Sequence, residues 1–243
     1  MKLSLLLLLS ILALPALGQQ TKLNLPLQRE LDSLQGVDLK YRHLLGVTRN
    51  PRKADSLETV LHLGKGQLAT YAIAGMQRVD SSNLRRIEAI MQRYGYPGKS
   101  LVGPGYASVA WQLLMHSDKI PQYLPLIKTA AEQGELPYFL YAQMLDRQLM
   151  AEGKAQLYGT QAARYRVRNK QTGQPEQVIF LWPVADPAHA DERRRKAGFS
   201  NTLAESAQSL VGTSYKPVTL DYAKQVQQEA ATLYKKEQQT KLQ

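Results

Sequence analysis

Residues 117–152, SDKIPQYLPLIKTAAEQGELPYFLYAQMLDRQLMAE, decide the fold class. Ser117 or Asp118 is placed to cap a helix from about Pro121 to Gln133, Gly134 closes it, and Pro137 opens a second helix that lasts to about Glu152. A connection this short makes the two helices antiparallel neighbours. In the second one Gln143, Asp146 and Arg147 stand at i, i+3, i+4 spacing, sharing a face within otherwise apolar sequence.

Upstream, Gly105 to His116 reads as a helix that is apolar nearly all round, with Ser108, Gln112 and His116 four apart on one line. Such a helix is buried, so its polar line must meet water, a partner group or a ligand. The cluster Asp80-Ser81-Ser82-Asn83 predicts a helix start, running from about Ser82 to Tyr94 and stopped by Gly95-Tyr96-Pro97-Gly98. Before it, Leu68 to Met76 is helix-compatible, and Asp55 or Ser56 caps a helix ending at Gly64-Lys65-Gly66. Leu25 to Val47 forms one or two helices, with Gly36 and Gly46 as weak points.

Downstream of Tyr158-Gly159-Thr160 the period becomes alternating. Arg164, Arg166, Arg168 and Lys170 fall on one face of a strand, Tyr165 and Val167 on the other, Thr172 to Pro175 turn, and Gln177 to Trp182 return. A basic helix over Ala190 to Ala197 and an amphipathic one from Leu220 to about Glu237 follow. The expected architecture is mainly α: a single multi-helix domain of antiparallel helices over 19–243, with a core over 80–162, one small β-hairpin over about 163–182 and C-terminal helices over 188–239.

Residues 1–18 carry one charge, Lys2, then an apolar run from Leu3 to Leu14 and small residues at Ala16 and Gly18. This is the pattern of a secretory signal peptide cleaved before Gln19. Its apolar run of about a dozen residues, at roughly 1.5 Å each, is too short for a bilayer core of about 30 Å. A periplasmic or secreted chain without a later transmembrane segment is expected. The absence of cysteine excludes thiol catalysis, thiolate metal sites and disulfides. A net charge of +11 favours anionic partners, a small molecule or an envelope polymer. Nucleic acid is set aside, because an exported chain with 7% aromatic residues offers few stacking platforms.

Of the four histidines, His116 stands out at a helix end in the triplet His116-Ser117-Asp118, where the carboxylate two residues on is placed to orient the imidazole or share a metal with it. The alternative is an imidazole that only caps helix carbonyls. Asp146-Arg147 reads either as an acceptor beside a fixed cation or as a pair that sets helix packing. Gln156-Leu157-Tyr158-Gly159-Thr160-Gln161 is a loop rich in directional hydrogen-bonding groups, or a turn whose side chains satisfy local backbone. No G-x-S-x-G, H-E-x-x-H or glycine-rich phosphate loop is present, and the residues leave cofactor and metal dependence open, a metal-assisted site included.

The stretch from Arg93 to Gln161, with Tyr94-Gly95-Tyr96-Pro97, Ala110-Trp111, His116-Ser117-Asp118, Tyr141 to Arg147 and Gln156 to Gln161, resembles an uncharacterised bacterial domain-of-unknown-function family. The family pattern reads A-W, Q-H-x-D, Y-A-x-L-x-D-R and Q-x-Y-G-T-Q, and Asp38, Tyr41, Arg42, Asp186, Glu192, Arg194 and Gly198 fit its looser ends. Met115 and Leu39 depart from it at positions where glutamine is usual. The resemblance implies His116, Asp118, Asp146, Arg147, Gln156, Tyr158, Thr160 and Gln161 as site residues, and is silent on activity. Two functional readings follow. One is an envelope ligand-binding module with a polar pocket. The other is a hydrolase in which His116 is general base, Asp118 or Asp146 orients it and Arg147 stabilises developing charge. A third, structural reading makes the same residues a buried hydrogen-bond network that specifies helix packing.

Overall fold

Asn24 opens the first helix: its side-chain oxygen accepts from Leu27 N at 3.1 Å, with Pro26 in the first turn. The structure, a computed structural model, describes residues 22–241, and the expected signal segment lies outside the described residues. Helix α1 (Leu25–Val47) is continuous through Gly36 and Gly46. Helix α2 (Pro51–Val60) is capped by Asn50, which accepts from Lys53 N, and not by Asp55 or Ser56. The buried Glu58 then accepts from Gly66 N and Leu68 N and so satisfies the free amides that begin α3 (Leu68–Tyr94).

The expected helix start near Ser82 is corrected: α3 runs straight through it. The polar groups that signal a cap in sequence find tertiary partners instead. Asp80 accepts from Arg42, the Asn83 amide donates to the Leu34 carbonyl at 3.1 Å, and Ser81 Oγ turns back to Gln77 O. The contacts 30–86, 34–83 and 41–75 run in opposite order along the two chains, so α1 and α3 lie antiparallel.

After the single turn α4 (Lys99–Val102), the segment expected as a helix from Gly105 to His116 is helical only in α5 (Val109–Leu114). Tyr96 Oη donates to the Ala107 carbonyl at 2.6 Å, and His116 N and Ser117 N close i→i−3 turns on Leu113 and Leu114. Both ends are thereby held as tighter turns, which leaves His116 beyond the helix. Helices α6 (Ile120–Glu132) and α7 (Tyr138–Ala151) follow as the sequence predicts, although the residue at the start of α6 is Lys119 rather than Ser117 or Asp118.

Leu31 and Leu34 of α1, Ile87 of α3, Leu114 of α5, Ile127 of α6 and Met144 of α7 meet in the main core, which therefore reaches well before residue 80. Each such side chain contributes about 1.5–3 kcal/mol through burial. Strands β1 (Ala162–Arg168) and β2 (Pro175–Leu181) form an antiparallel hairpin in which Tyr165 faces Val178. Its inner side chains Ala163, Val167 and Phe180, with Trp182, pack on Ala223 and Val226 of the last helix, α10 (Leu220–Lys241). Between them lie α8 (Ala190–Lys196) and α9 (Leu203–Val211). Sequence reading missed α9, although Thr202 and Glu205 form a capping box, the signal that would have found it. The fold is thus mainly α, ten helices with one small hairpin among the described residues.

The ring of Tyr41 of α1 packs over Gly75 of α3, where a Cβ would enter it. Gly75→Ala is expected to cost about 1–3 kcal/mol by overpacking. Urea unfolding should show that loss largely recovered in the Gly75→Ala, Tyr41→Leu double variant.

Candidate functional site

The loop from Gln156 to Gln161 connects α7 to β1 and is held by side chains on every side. Asp146, fully buried, receives Leu157 N at 2.7 Å, Tyr158 N at 3.1 Å, Thr160 N at 3.1 Å and Thr160 Oγ1 at 2.9 Å. Gln156, also fully buried, accepts from Thr160 N and Gln161 N and donates to the Gln161 and Trp182 carbonyls. The loop carbonyls face the other way. Leu157 O accepts from Arg193 Nε, Tyr158 O from Arg194 and Gly159 O from Ser206 Oγ. Gly159 sits at φ +68, and a Cβ there would strike Leu203, so the position admits only glycine.

Burial pushes the Asp146 carboxyl above the ordinary aspartate value, against the hydrogen bonds from Leu157, Tyr158 and Thr160 that pull it down. All those partners donate, so its oxygens have no lone pair left for a substrate. Arg194 is equally enclosed. It bonds to the Asn201 backbone and side-chain oxygens and lies 4.5 Å from the Phe199 ring, and burial lowers its pKa.

A second assembly lies where α1, α3 and α5 meet. Asp38, 2% exposed, accepts from Arg42 Nε at 2.9 Å and from Gln112 Nε2 at 3.2 Å. Arg42 also reaches Asp80 at 2.5 Å, and Gln112 accepts from Gln35 at 3.1 Å. The polar line expected on α5 therefore meets a buried carboxylate. The exposed His116 lies within electrostatic reach of this group: its pKa is lowered first by partial desolvation and then by the positive charge of Arg42 and, least, Arg147, against the pull of Asp38 and Asp80. Arg42 also borders a concavity of about 530 Å³, which Leu45, Gly46, Thr48, Arg49 and Met76 line with it.

The expected site residues thus divide into separate groups. Asp146, Gln156 and Thr160 belong to the loop clamp, with Gln161 beside it, its amide directed to Thr160 Oγ1 and the Gln143 carbonyl. His116 and Arg147, both exposed, join neither hydrogen-bond network, and His116 feels the charges of Arg42, Asp38, Asp80 and Arg147. Tyr158 points from the loop toward Tyr138 and Phe199, and Asp118 is exposed. Among the described residues no carboxylate is hydrogen-bonded to the His116 ring, and no group of three or more candidate metal ligands occurs. No helix among them is long and apolar enough to cross a membrane. Gln35, Arg193 and Ser206 escaped sequence reading, because nothing local marks a side chain whose partner lies 36 to 77 residues away.

The model of a family of unknown function (DUF6624) matches residues 64–215. The chain belongs to this family. The matched segment holds the loop clamp, Arg194, Asp80, Gln112, His116 and Arg147, while Asp38 and Arg42 lie before it. No curated protein and no solved structure matches the chain.

Asp146 and Arg147 are adjacent in sequence and opposite in consequence. Asp146→Asn should cost about 2–5 kcal/mol, since an amide NH2 would face backbone N–H donors, whereas Arg147→Ala should stay within about 0.5 kcal/mol in the same denaturation series. For His116 the folded pKa is depressed, so the unfolded state binds the proton more tightly. Its contribution is complete above the unfolded value and is lost as pH falls through the folded one. NMR should give a His116 midpoint below 6.5, and between about pH 7 and about pH 5 the Tm of the parent should fall more than that of His116→Gln.

Proposed function

We propose that this family member is an exported ligand-binding module of the cell envelope, with its binding site at the concavity lined by Arg42 and Arg49, within electrostatic reach of His116. The observation that carries the reading is the charge of that hollow. Two guanidiniums, Arg42 and Arg49, line it and no acid does, while Leu45, Gly46 and Met76 supply an apolar floor. Pockets for small molecules combine such apolar walls with a few placed polar groups. Arg42 is held in place by Asp38 and Asp80, so it meets an anion with little ordering cost. His116, kept neutral at pH 7 by its lowered pKa, is available as an acceptor or, on protonation, as a further cation.

The hydrolase alternative asks for a carboxylate on the imidazole, and Asp146, one of its two candidates, is committed to the loop. Binding needs no such contact and is therefore the preferred reading.

Citrate, a compact polyanion, serves as the probe. It should raise the Tm of the mature chain and raise the His116 midpoint, because added negative charge favours the imidazolium. Arg49→Ala changes an exposed side chain of the concavity and should leave the unliganded Tm within about 2 °C while removing most of the citrate increment. Arg42 is unsuitable for the test, since its removal strands the buried Asp38 carboxylate. An unchanged His116 midpoint at saturating citrate, or an increment that survives Arg49→Ala, would sink the proposal.

A further inference from the structure

Tyr158 is the one aromatic side chain of the clamped loop, and the clamp fixes its peptide at both ends. Its N–H is held by Asp146 and its carbonyl by Arg194. The ring rests against Phe199, 6.0 Å between centroids at 35°, and Phe199 in turn leans on Phe139 at 5.8 Å. The phenol therefore has one direction available, toward Tyr138 at the start of α7, with which its hydroxyl interacts. Burial, with Tyr138 and Tyr141 nearby, pushes the Tyr158 pKa up to about 12, so the hydroxyl remains a protonated donor at any physiological pH.

In front of these phenols lies a concavity of about 320 Å³ lined by Tyr138, Tyr158, Arg193, Lys196 and Ala197. Its two charged residues are both cations, presented by α8. Arg193 is immobilised through the Leu157, Ala185 and Asp186 carbonyls and the Asp186 carboxylate, which leaves one N–H of Nη1 uncommitted. Lys196 is exposed and touches Glu192 at 2.6 Å, a surface pair weak enough to be given up to a better anion. Nothing in the loop clamp requires the hydroxyl of Tyr158 or the ammonium of Lys196.

We infer that this concavity is a second binding site, distinct from the one lined by Arg42 and Arg49, for a compact oxyanion, the phosphate or carboxylate group of a small molecule, received by the hydroxyl proton that the Tyr138–Tyr158 pair leaves free, with Lys196 and Arg193 supplying the charge. The aromatic faces and Ala197 accommodate an apolar body attached to that group. Preformed donors in a partly dry setting bind oxyanions better than the same groups on an open surface.

Inorganic phosphate and benzoate serve as separate probes of the two oxyanion types, titrated into the full mature chain at low salt and followed by amide NMR. At least one should shift the Tyr158, Lys196 and Ala197 signals saturably, and its affinity should fall as salt rises. Tyr158→Phe keeps the ring on Phe199 and removes only the hydroxyl. It should weaken that binding by about tenfold, the loss of one hydrogen bond to a charged group. Lys196→Gln should weaken it severalfold, and Arg49→Ala in the other concavity should leave it unchanged. Silence of these three signals toward both probes, or parental affinity in Tyr158→Phe, overturns the inference. Should Tyr158→Phe fail to fold, Lys196→Gln at its exposed position decides alone, and undiminished binding there overturns the inference equally.

Discussion

The chain between α7 and β1 is gripped from two sides by buried charges that never touch each other. Asp146 takes the amides of residues 157, 158 and 160, and Arg194 takes the carbonyl of Tyr158. A loop driven this far into a protein carries peptide groups that water cannot reach, and each one left unpaired costs free energy. Here side chains do what a sheet or helix would do elsewhere. The two ions are also stabilised by the same arrangement, since the peptide dipoles between them present N–H to the carboxylate and C=O to the guanidinium. That is how a fully buried aspartate and a 1% exposed arginine coexist without a direct salt bridge.

Much else follows from this grip. It joins α7, the hairpin, α8 and α9, because Gln156 reaches Trp182, Arg193 and Arg194 reach the loop from α8, and Ser206 reaches it from α9. Most of the polar residues that make the segment from Tyr141 to Gln161 recognisable are spent here. They specify an architecture. Two hollows lie outside that network, one lined by Arg42 and Arg49 and the other by Tyr138 and Tyr158.

The Asp38 assembly follows the same logic at smaller scale. A carboxylate buried between helices is neutralised by Arg42 and completed by Gln112, and the Arg42 charge, after desolvation, lowers the pKa of the His116 imidazole. The polar line on α5 was legible from sequence as needing a partner, since an apolar helix leaves its few polar groups nowhere else to go. Which partner it met was not legible. Gln112 and Asp38 are 74 residues apart, and no local spacing encodes that distance. For the same reason Asp80 and Asn83 read as a helix start, when α1 supplies the groups that keep them inside α3.

By itself the sequence determined the helical class, the α6–α7 pair, the hairpin with its basic outer face, and the glycine that must turn the loop at 159. These are short-range matters, settled by side-chain period, capping and backbone sterics within a few residues. Tertiary structure alone decided the fate of each polar group: Asp146 inward and Arg147 outward, Gln156 consumed and Tyr158 left facing a hollow. Hydrogen-bond satisfaction in a core is a global constraint, and a side chain's availability depends on whether distant backbone has already claimed it.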